Sequence, residues 1–320
     1  MLVPAKLNTL PGLLVTALPP LAVLGFGATL LSFAGGGAEV WRMADTAGPY
    51  SLLMAVAVLG VMVALSMLLS MGMTGRHAPL VVLVGLATLP WFLGIAGTDE
   101  AMERVLAALP DVGSGDALSV LVAGTGEAMV TRLLGAWASA ALLVAVAVGL
   151  VALRRQAALT GEDAGRLLGA ALSLVLGSIA LLVALEAHEF FRMLTTLAAQ
   201  GAEARSGLIA ASTGKLVHLQ QVRSAALGAL AVLALALVSW QFFLRPEAIK
   251  EWAGSLVLAA LAAAVLLLDA RPLELAARGA TEAGLSRALV PLLVRNGQAN
   301  ALGALPTGPM PSLGSIRSAR

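Results

Sequence analysis

Long apolar runs separated by short polar segments dominate the sequence. A helix needs about 20 mostly apolar residues to cross a bilayer. Runs that satisfy this requirement cover residues 12–35, 50–73, 79–97, 134–153, 166–186, 224–244 and 252–269. None of these runs carries a charged residue near its middle. The pattern therefore predicts an all-α, polytopic membrane protein with about seven transmembrane helices.

The composition points to the same class of protein. Of the 320 residues, 59% are apolar and 12% are charged, and the mean hydropathy is +0.93. Soluble domains are roughly half apolar and a quarter charged. The absence of Cys excludes disulfides, thiolate metal sites and a cysteine nucleophile. Because the net charge is only +2 and the basic residues are scattered, no nucleic-acid partner is predicted.

The two ends of the chain differ in character. The first run follows Lys6 and is longer than the apolar region of a secretory signal peptide, so we interpret it as an uncleaved span. The segment 296–320 is rich in Gly, Pro and Ser and has no apolar period, so it is predicted to be disordered. With one Tyr and few other aromatic residues, the chain does not resemble an outer-membrane barrel.

Similar polar segments, here called excursions, follow several of the runs. Each leaves its run through small residues and places an acid three or four positions before an arginine, in the pairs Glu39/Arg42, Glu100/Arg104, Glu189/Arg192 and Glu274/Arg278. That spacing brings each pair to one helical face. Apolar residues recur at helical spacing within the second and third excursions, which predicts short amphipathic helices at the membrane surface.

The similarity predicts a chain of repeated helical hairpins with all excursions on one side. The units are 1–73, 74–153 and 154–244, followed by a seventh transmembrane helix with an amphipathic segment at 245–295 and the tail at 296–320. The acidic second excursion favours an N-terminus inside the cell, whereas the arginines of the third excursion count against that orientation.

The second hairpin contains two short glycine-bearing elements. LGIAGT (93–98) supplies Leu93, Gly94, Gly97 and Thr98, and GEAMVTRLLGAWASAALL (126–143) supplies Ala128 and Gly135. In these stretches the hairpin resembles the MotA/TolQ/ExbB proton-channel family, which carries an LGxxGT-like element on one pore helix and an AL-x-x-T-x-x-G-like element on the returning helix. The stretch LGFGAT (24–29) repeats the first element, with Thr29 in the threonine place.

The chain departs from the family at the hydroxyl of the returning helix. That position is Arg132 here, and Thr131 is the nearest hydroxyl, one residue away and therefore turned by about 100° around the helix. The family's large cytoplasmic insertion is missing too, since only a short loop at 74–78 joins the second and third runs.

The resemblance implies a bacterial inner-membrane subunit that forms a homo-oligomer around a single-span partner helix carrying an acidic residue. Such complexes use proton flow to do mechanical work. The candidate pore-lining residues are Thr29, Thr98, Thr131 and Arg132. Spans without acids fit a protein whose partner supplies the acid, and they equally fit one that conducts nothing. The alternatives are a secondary transporter or permease for a small solute, and a membrane scaffold that binds a periplasmic partner.

Two further groups of residues are candidates for a role. The ionisable cluster Glu186, His188 and Glu189 forms either a polar turn at the membrane surface or a proton-sensing or ion-coordinating site. Its spacing is not HExxH, so no metal site is predicted. Four glycines permit close helix packing, with pore lining as the alternative: Gly25, Gly94, Gly97 and Gly135.

No motif of an enzyme is present. The stretch GTGEAMV lacks the ending of a phosphate-binding loop, and GSGD is not a nucleophile elbow. We therefore predict neither catalysis nor a cofactor. Pro19, Pro20 and Pro90 lie inside apolar runs, where proline is expected to kink or break a helix.

Overall fold

A computed structural model describes residues 10–73, 79–108, 111, 117–153, 163–199, 202–244, 260 and 263–264. Within these ranges the long elements are α1 (Leu10–Ala34), α2 (Gly37–Thr46), α3 (Pro49–Met73), α4 (Leu80–Ala108), α5 (Ala117–Ala152), α6 (Asp163–Ala199) and α7 (Ala202–Leu244). All seven are α-helices, and six of them are long and apolar enough to cross a membrane. The described part of the chain is thus an all-α, multi-pass membrane protein.

The segments suited to span a bilayer follow the predicted runs closely at the start of the chain. They are Gly12–Ala34, Pro49–Met73, Leu80–Ala108, Ala123–Ala152, Arg166–Leu194 and His218–Ser239. Nearly all of the predicted seventh span at 252–269 lies outside the described residues, as does the predicted disordered tail. The helices α1 and α4 continue through their prolines, Pro19 and Pro20 in α1 and Pro90 in α4.

The second and third excursions are continuations of long helices rather than separate short ones. Helix α4 runs through Gly97 and Thr98 to Ala108, and α6 runs through Glu186 to Ala199. The 43 residues of α7 correspond to about 65 Å at 1.5 Å per residue, against about 30 Å of hydrocarbon. A helix of this length must project well beyond the bilayer. The polar residues that follow the apolar runs of α4 and α6, and those that precede the apolar run of α7, form the projecting parts.

The first excursion does form a separate helix, because glycines interrupt the backbone on both sides of it. Gly35 and Gly36 have φ values of 90° and 122°, and Gly48, between α2 and α3, has a φ of 57°. These positive values favour glycine over residues with a side chain. Helix α2 directs Met43 into the bundle at 1% exposure and leaves Trp41 77% exposed.

Helix α5 lies at the centre of the bundle and packs against α1, α3, α4 and α6. Of its span, 72% is buried, compared with 11% for α7, which packs mainly on α6. The outer helices expose rows of large apolar side chains, among them Leu24, Leu52, Val56, Leu59, Val63, Met67, Val232 and Leu235. In a membrane these rows face lipid or other transmembrane helices.

Pairs of side-chain contacts show that α4 and α5 are antiparallel, and likewise α6 and α7. Trp91 and Thr98 of α4 meet Ser139 and Thr131 of α5, and Glu186 and Glu189 of α6 meet Arg223 and Lys215 of α7. The ends of α4 and α6 therefore lie beside the starts of α5 and α7, and contacts of Phe33 with His188 and of Tyr50 with Glu100 bring the end of α1 and the start of α3 to the same side. We call this side of the bundle the polar end. Except for Asp163 and Arg166, the charged residues of the described helices lie toward it.

Candidate functional site at the crossing of α4 and α5

The backbones of α4 and α5 touch where two glycines face each other. A Cβ atom on Gly135 would lie 2.4 Å from the Pro90 carbonyl oxygen and 2.9 Å from Gly94 Cα. A Cβ atom on Gly94 would lie 2.7 Å from the Thr131 carbonyl oxygen. Neither position has space for a side chain, so only glycine allows the two helices to approach this closely.

A serine on α5 supports α4 at its proline. Pro90 has no N–H group, and its ring disturbs the hydrogen bonds of the preceding helical turn. The next residue, Trp91, donates its backbone N–H to Ser139 Oγ over 2.9 Å, and both residues are fully buried. The serine thus provides a buried polar partner next to the proline and fixes the register of the two helices.

A pair of threonine hydroxyls lies at the polar-end side of this crossing. Thr98 Oγ1 and Thr131 Oγ1 are 2.8 Å apart, and the two residues are 0% and 3% exposed. Each hydroxyl also lies within hydrogen-bond distance of a carbonyl of its own helix, Gly94 O at 2.8 Å for Thr98 and Ala128 O at 3.1 Å for Thr131. We call Thr98 and Thr131 the hydroxyl pair.

The hydroxyl pair has two equivalent hydrogen-bonded arrangements, because each hydroxyl carries one proton and two lone pairs. In one arrangement Thr98 donates to Thr131, and Thr131 donates to Ala128 O. In the other, Thr131 donates to Thr98, and Thr98 donates to Gly94 O. The heavy atoms do not move between them.

Charged residues follow both threonines in the sequence. Asp99 comes after Thr98, and Arg132 after Thr131. Arg132 is fully buried, and its Nη1 lies 3.9 Å from Met129 Sδ. Burying a guanidinium is costly unless other groups compensate its charge. The crossing therefore combines a tight apolar contact with a buried cation, an arrangement that packing alone does not require.

Tyr50 of α3 covers the same crossing from the polar end. A Cβ atom on Gly97 would lie 2.8 Å from Tyr50 Cδ1 and 3.2 Å from Thr131 Cβ, so ring and threonine meet one face of this glycine. The Tyr50 hydroxyl donates a hydrogen bond to Glu100, and Glu100 also pairs with Arg104. These contacts extend from the Tyr50 ring, which lies against Gly97, to the exposed surface of the bundle.

The ionisable cluster of α6 makes contacts with other helices. Glu186 accepts a hydrogen bond from Arg223 Nη1 at 3.0 Å, and Glu189 lies 3.6 Å from Lys215 Nζ. The His188 ring packs at 4.5 Å, between centroids, on Phe33 of α1. Two ion pairs thus join α6 to α7, while His188 contacts α1. No group of three or more His, Cys, Asp or Glu in the described ranges is arranged to hold a metal.

The remaining sequence candidates lie elsewhere. Thr29 is exposed on α1, and its hydroxyl donates to Phe26 O at 2.8 Å. Among the residues that the structure describes, no atom outside the adjoining backbone of α1 lies within 4 Å of a Cβ position on Gly25. Of the four candidate pore-lining residues, the structure brings Thr98, Thr131 and Arg132 together at the crossing and places Thr29 apart from them.

Sequence reasoning missed two residues of the site. Tyr50 is the one tyrosine of the chain, and its position beside the Gly48–Pro49 turn is the signal that could have marked it. Ser139 lies one helical turn after Gly135 on α5. Its spacing of eight from Thr131 and four from Gly135 puts all three on one helical face.

Comparison with known proteins assigns no family to the chain. No protein-family model, curated protein or solved structure matches it.

Proposed function

We propose that this chain is an inner-membrane subunit of a bacterial energy-coupling complex of the MotA/TolQ/ExbB type. In this proposal the hydroxyl pair is the polar step through which a proton passes, and the structure represents the closed, non-conducting state. The three successive hairpins are diverged copies of one unit. The subunit forms a homo-oligomer around a single-span partner helix that contributes an intramembrane acid.

The observation that carries the proposal is the contact between Thr98 and Thr131. The sequence elements that resemble the family's paired pore helices are the two that meet at the crossing. A buried hydroxyl is costly unless it is hydrogen-bonded, and here each hydroxyl satisfies the other. The pair can pass a proton when one hydroxyl takes up a proton from a water on its side and the other releases its own proton to a water on the opposite side. Rotation of both hydroxyls, which moves no heavy atom, then restores the first arrangement.

Arg132 is part of the proposed mechanism as well. It takes the position of the family's hydroxyl and is buried next to Thr131 in the sequence, and cationic side chains in a pore raise the barrier to proton passage. On this proposal the departure from the family pattern helps to keep the resting chain non-conducting.

Composition of the complex is the first test. The protein is purified from its native membrane in a mild detergent and analysed by native mass spectrometry. We expect several copies of the chain together with a single-span protein whose helix contains Asp or Glu. A monomer without such a partner, in detergent and in lipid nanodiscs alike, would contradict the proposal.

Proton flux is the second test. The purified complex is reconstituted into liposomes that contain a pH-sensitive dye, and acidification is followed under an imposed potential. We expect Thr98→Val and Thr131→Val to abolish the flux, since valine has the shape of threonine without its hydroxyl. Thr16→Val is the matched control, because the Thr16 hydroxyl bonds only to Leu13 O of its own helix at 2.9 Å. Unchanged flux in the Thr98 and Thr131 variants would exclude the hydroxyl pair from the path.

A further inference from the structure

We propose that Tyr50 gates access from the polar end to the hydroxyl pair, and that Glu100 holds this gate closed. The species admitted when the ring moves are water and the protons it carries. The role of the gate in conduction rests on the proposed function. The gate itself rests on three observations, which are the position of the ring, its hydrogen bond and the turn that precedes it.

The position of the ring closes the crossing on the side that faces water. Tyr50 Cδ1 and Cγ would lie 2.8 and 2.9 Å from a Cβ on Gly97, so the ring occupies the space that a side chain would take there. The next residue of α4 is Thr98, and Thr131 contacts the same face of Gly97. Beyond the ring the side chains become exposed, with 42% of Glu100 and 66% of Arg104 accessible. Tyr50 therefore lies between the buried pair and the water-accessible surface.

The hydrogen bond between Tyr50 and Glu100 holds the ring in the closed position, and we call it the latch. Tyr50 donates its hydroxyl proton to the Glu100 carboxylate, which also pairs with Arg104. A hydrogen bond to an ionised acceptor is stronger than one between neutral groups. Tyr50, Glu100 and Arg104 all lie at the polar end. There the charged groups of a partner protein could pair with Glu100 or Arg104 in place of the contacts within the chain. The hydrogen bond between Tyr50 and Glu100 can therefore break, and the ring can move, before the contact between Thr98 and Thr131 changes.

The turn before Tyr50 is suited to act as a pivot. Tyr50 is the second residue of α3, which begins at Pro49, directly after Gly48 with its φ of 57°. Glycine adopts this conformation without the steric cost that other residues incur. Helix α2, on the other side of the glycine, is short and exposes Trp41. A displacement of α2 would therefore be transmitted through the Gly48 turn to Tyr50.

The natural absence of cysteine makes the gate directly measurable. Thr98→Cys provides a single thiol beneath the ring, in the full-length chain in native membranes. Its reaction rate with a small, charged methanethiosulfonate reagent is compared with Tyr50 intact and with Tyr50→Ala. We expect the second change to raise the rate more than about ten-fold, because it opens a site that is otherwise reached only by local fluctuation. Tyr50→Phe keeps the ring and removes the hydrogen bond to Glu100, so its rate should rise by about ten-fold, the lower value for a hydrogen bond to a charged group, and stay below the rate of Tyr50→Ala. Glu100→Ala also removes this hydrogen bond, so the labelling rate of Thr98→Cys should be the same with Glu100→Ala as with Tyr50→Phe.

The control is Thr88→Cys, a fully buried threonine of the same helix that lies deeper in the bundle, away from Tyr50. Its thiol should stay unreactive in every background. Equal rates at position 98 with and without the ring would overturn the gate. Parallel increases at positions 88 and 98 would overturn it too, since they would show that the bundle had loosened. Labelling needs neither a partner nor proton flux, so this test can fail independently of the proposed function.

Discussion

A single methyl group provides a quantitative test of the crossing between α4 and α5. In Gly135→Ala the new Cβ would start 2.4 Å from the Pro90 carbonyl oxygen and 2.9 Å from Gly94 Cα. Both neighbours are backbone atoms, which cannot rotate away as the end of a side chain can. Relief of the clash therefore requires the two helices to separate by roughly 1 Å, since ordinary carbon contacts begin at about 3.5 Å.

The cost of this separation follows from the contacts nearby. Overpacking of a well-packed core costs about 1–3 kcal/mol. A 1 Å shift would also lengthen the 2.8 Å contact of the hydroxyl pair and the 2.9 Å bond from Trp91 N to Ser139 Oγ beyond hydrogen-bonding range. Each lost bond adds about 1 kcal/mol. We expect Gly135→Ala to lower the free energy of unfolding by about 3–5 kcal/mol.

The measurement is reversible unfolding in mixed micelles, followed by circular dichroism as the fraction of denaturing detergent rises. Gly228→Ala and Gly25→Ala are matched controls, because no other atom lies within 4 Å of the added methyl at either position. Alanine favours a helix over glycine by up to about 1 kcal/mol, so these two variants should be as stable as the parent or slightly more stable. If Gly135→Ala unfolded together with the controls, the described backbone contact could not exist.

Two further changes test the contacts around the site. Removing one partner of the buried ion pair between α6 and α7, as in Arg223→Leu, leaves the Glu186 carboxylate buried without that partner and should cost about 3–5 kcal/mol. The double variant with Glu186→Leu should recover most of that loss in the same unfolding assay, and a double variant no more stable than the single one would contradict the pairing. Ser139→Ala removes the acceptor of the Trp91 N–H and should lower the free energy of unfolding by about 1–3 kcal/mol. The exposed hydroxyl of Ser178 bonds to Leu174 O of its own helix, so Ser178→Ala should lower it by less than about 0.5 kcal/mol. Equal stability of the two serine variants would argue against a structural role for Ser139.

The location of the spans could be read from the sequence because apolar length is a direct physical requirement of the bilayer. The predicted runs 12–35 and 50–73 correspond to α1 and α3 within a few residues. The helix ends were harder to predict. An apolar run ends at the membrane surface, but the backbone hydrogen bonds of a helix can continue beyond that surface. Helix α4 continues there because residues 99–108 contain neither glycine nor proline to end it. Where glycines do occur, at positions 35 and 36, the helix breaks.

The partners within the site could not be predicted, because they are distant in the sequence. Tyr50 meets Glu100 across 50 residues, and Trp91 meets Ser139 across 48. Local periodicity gives the face of a helix on which a side chain lies, but it does not give the helix that this face contacts. The family pattern marked Thr98 and Thr131 as separate candidates, but it did not predict that their hydroxyls meet.

The contrast between the second hairpin and the related stretch on α1 bears on how a complex could assemble. At the crossing, Gly94 and Thr98 are buried against α5 within one chain. The corresponding Gly25 and Thr29 of LGFGAT face outward on α1 with no neighbour at the glycine. A glycine surface on a membrane helix permits close approach of another helix. In the proposed complex, Gly94 and Thr98 already pack against α5 within the chain. Gly25 and Thr29 are then the residues that contact a second subunit or the partner helix. A crosslink from Thr29→Cys to another chain would support that assignment, and crosslinking only from the opposite face of α1 would refute it.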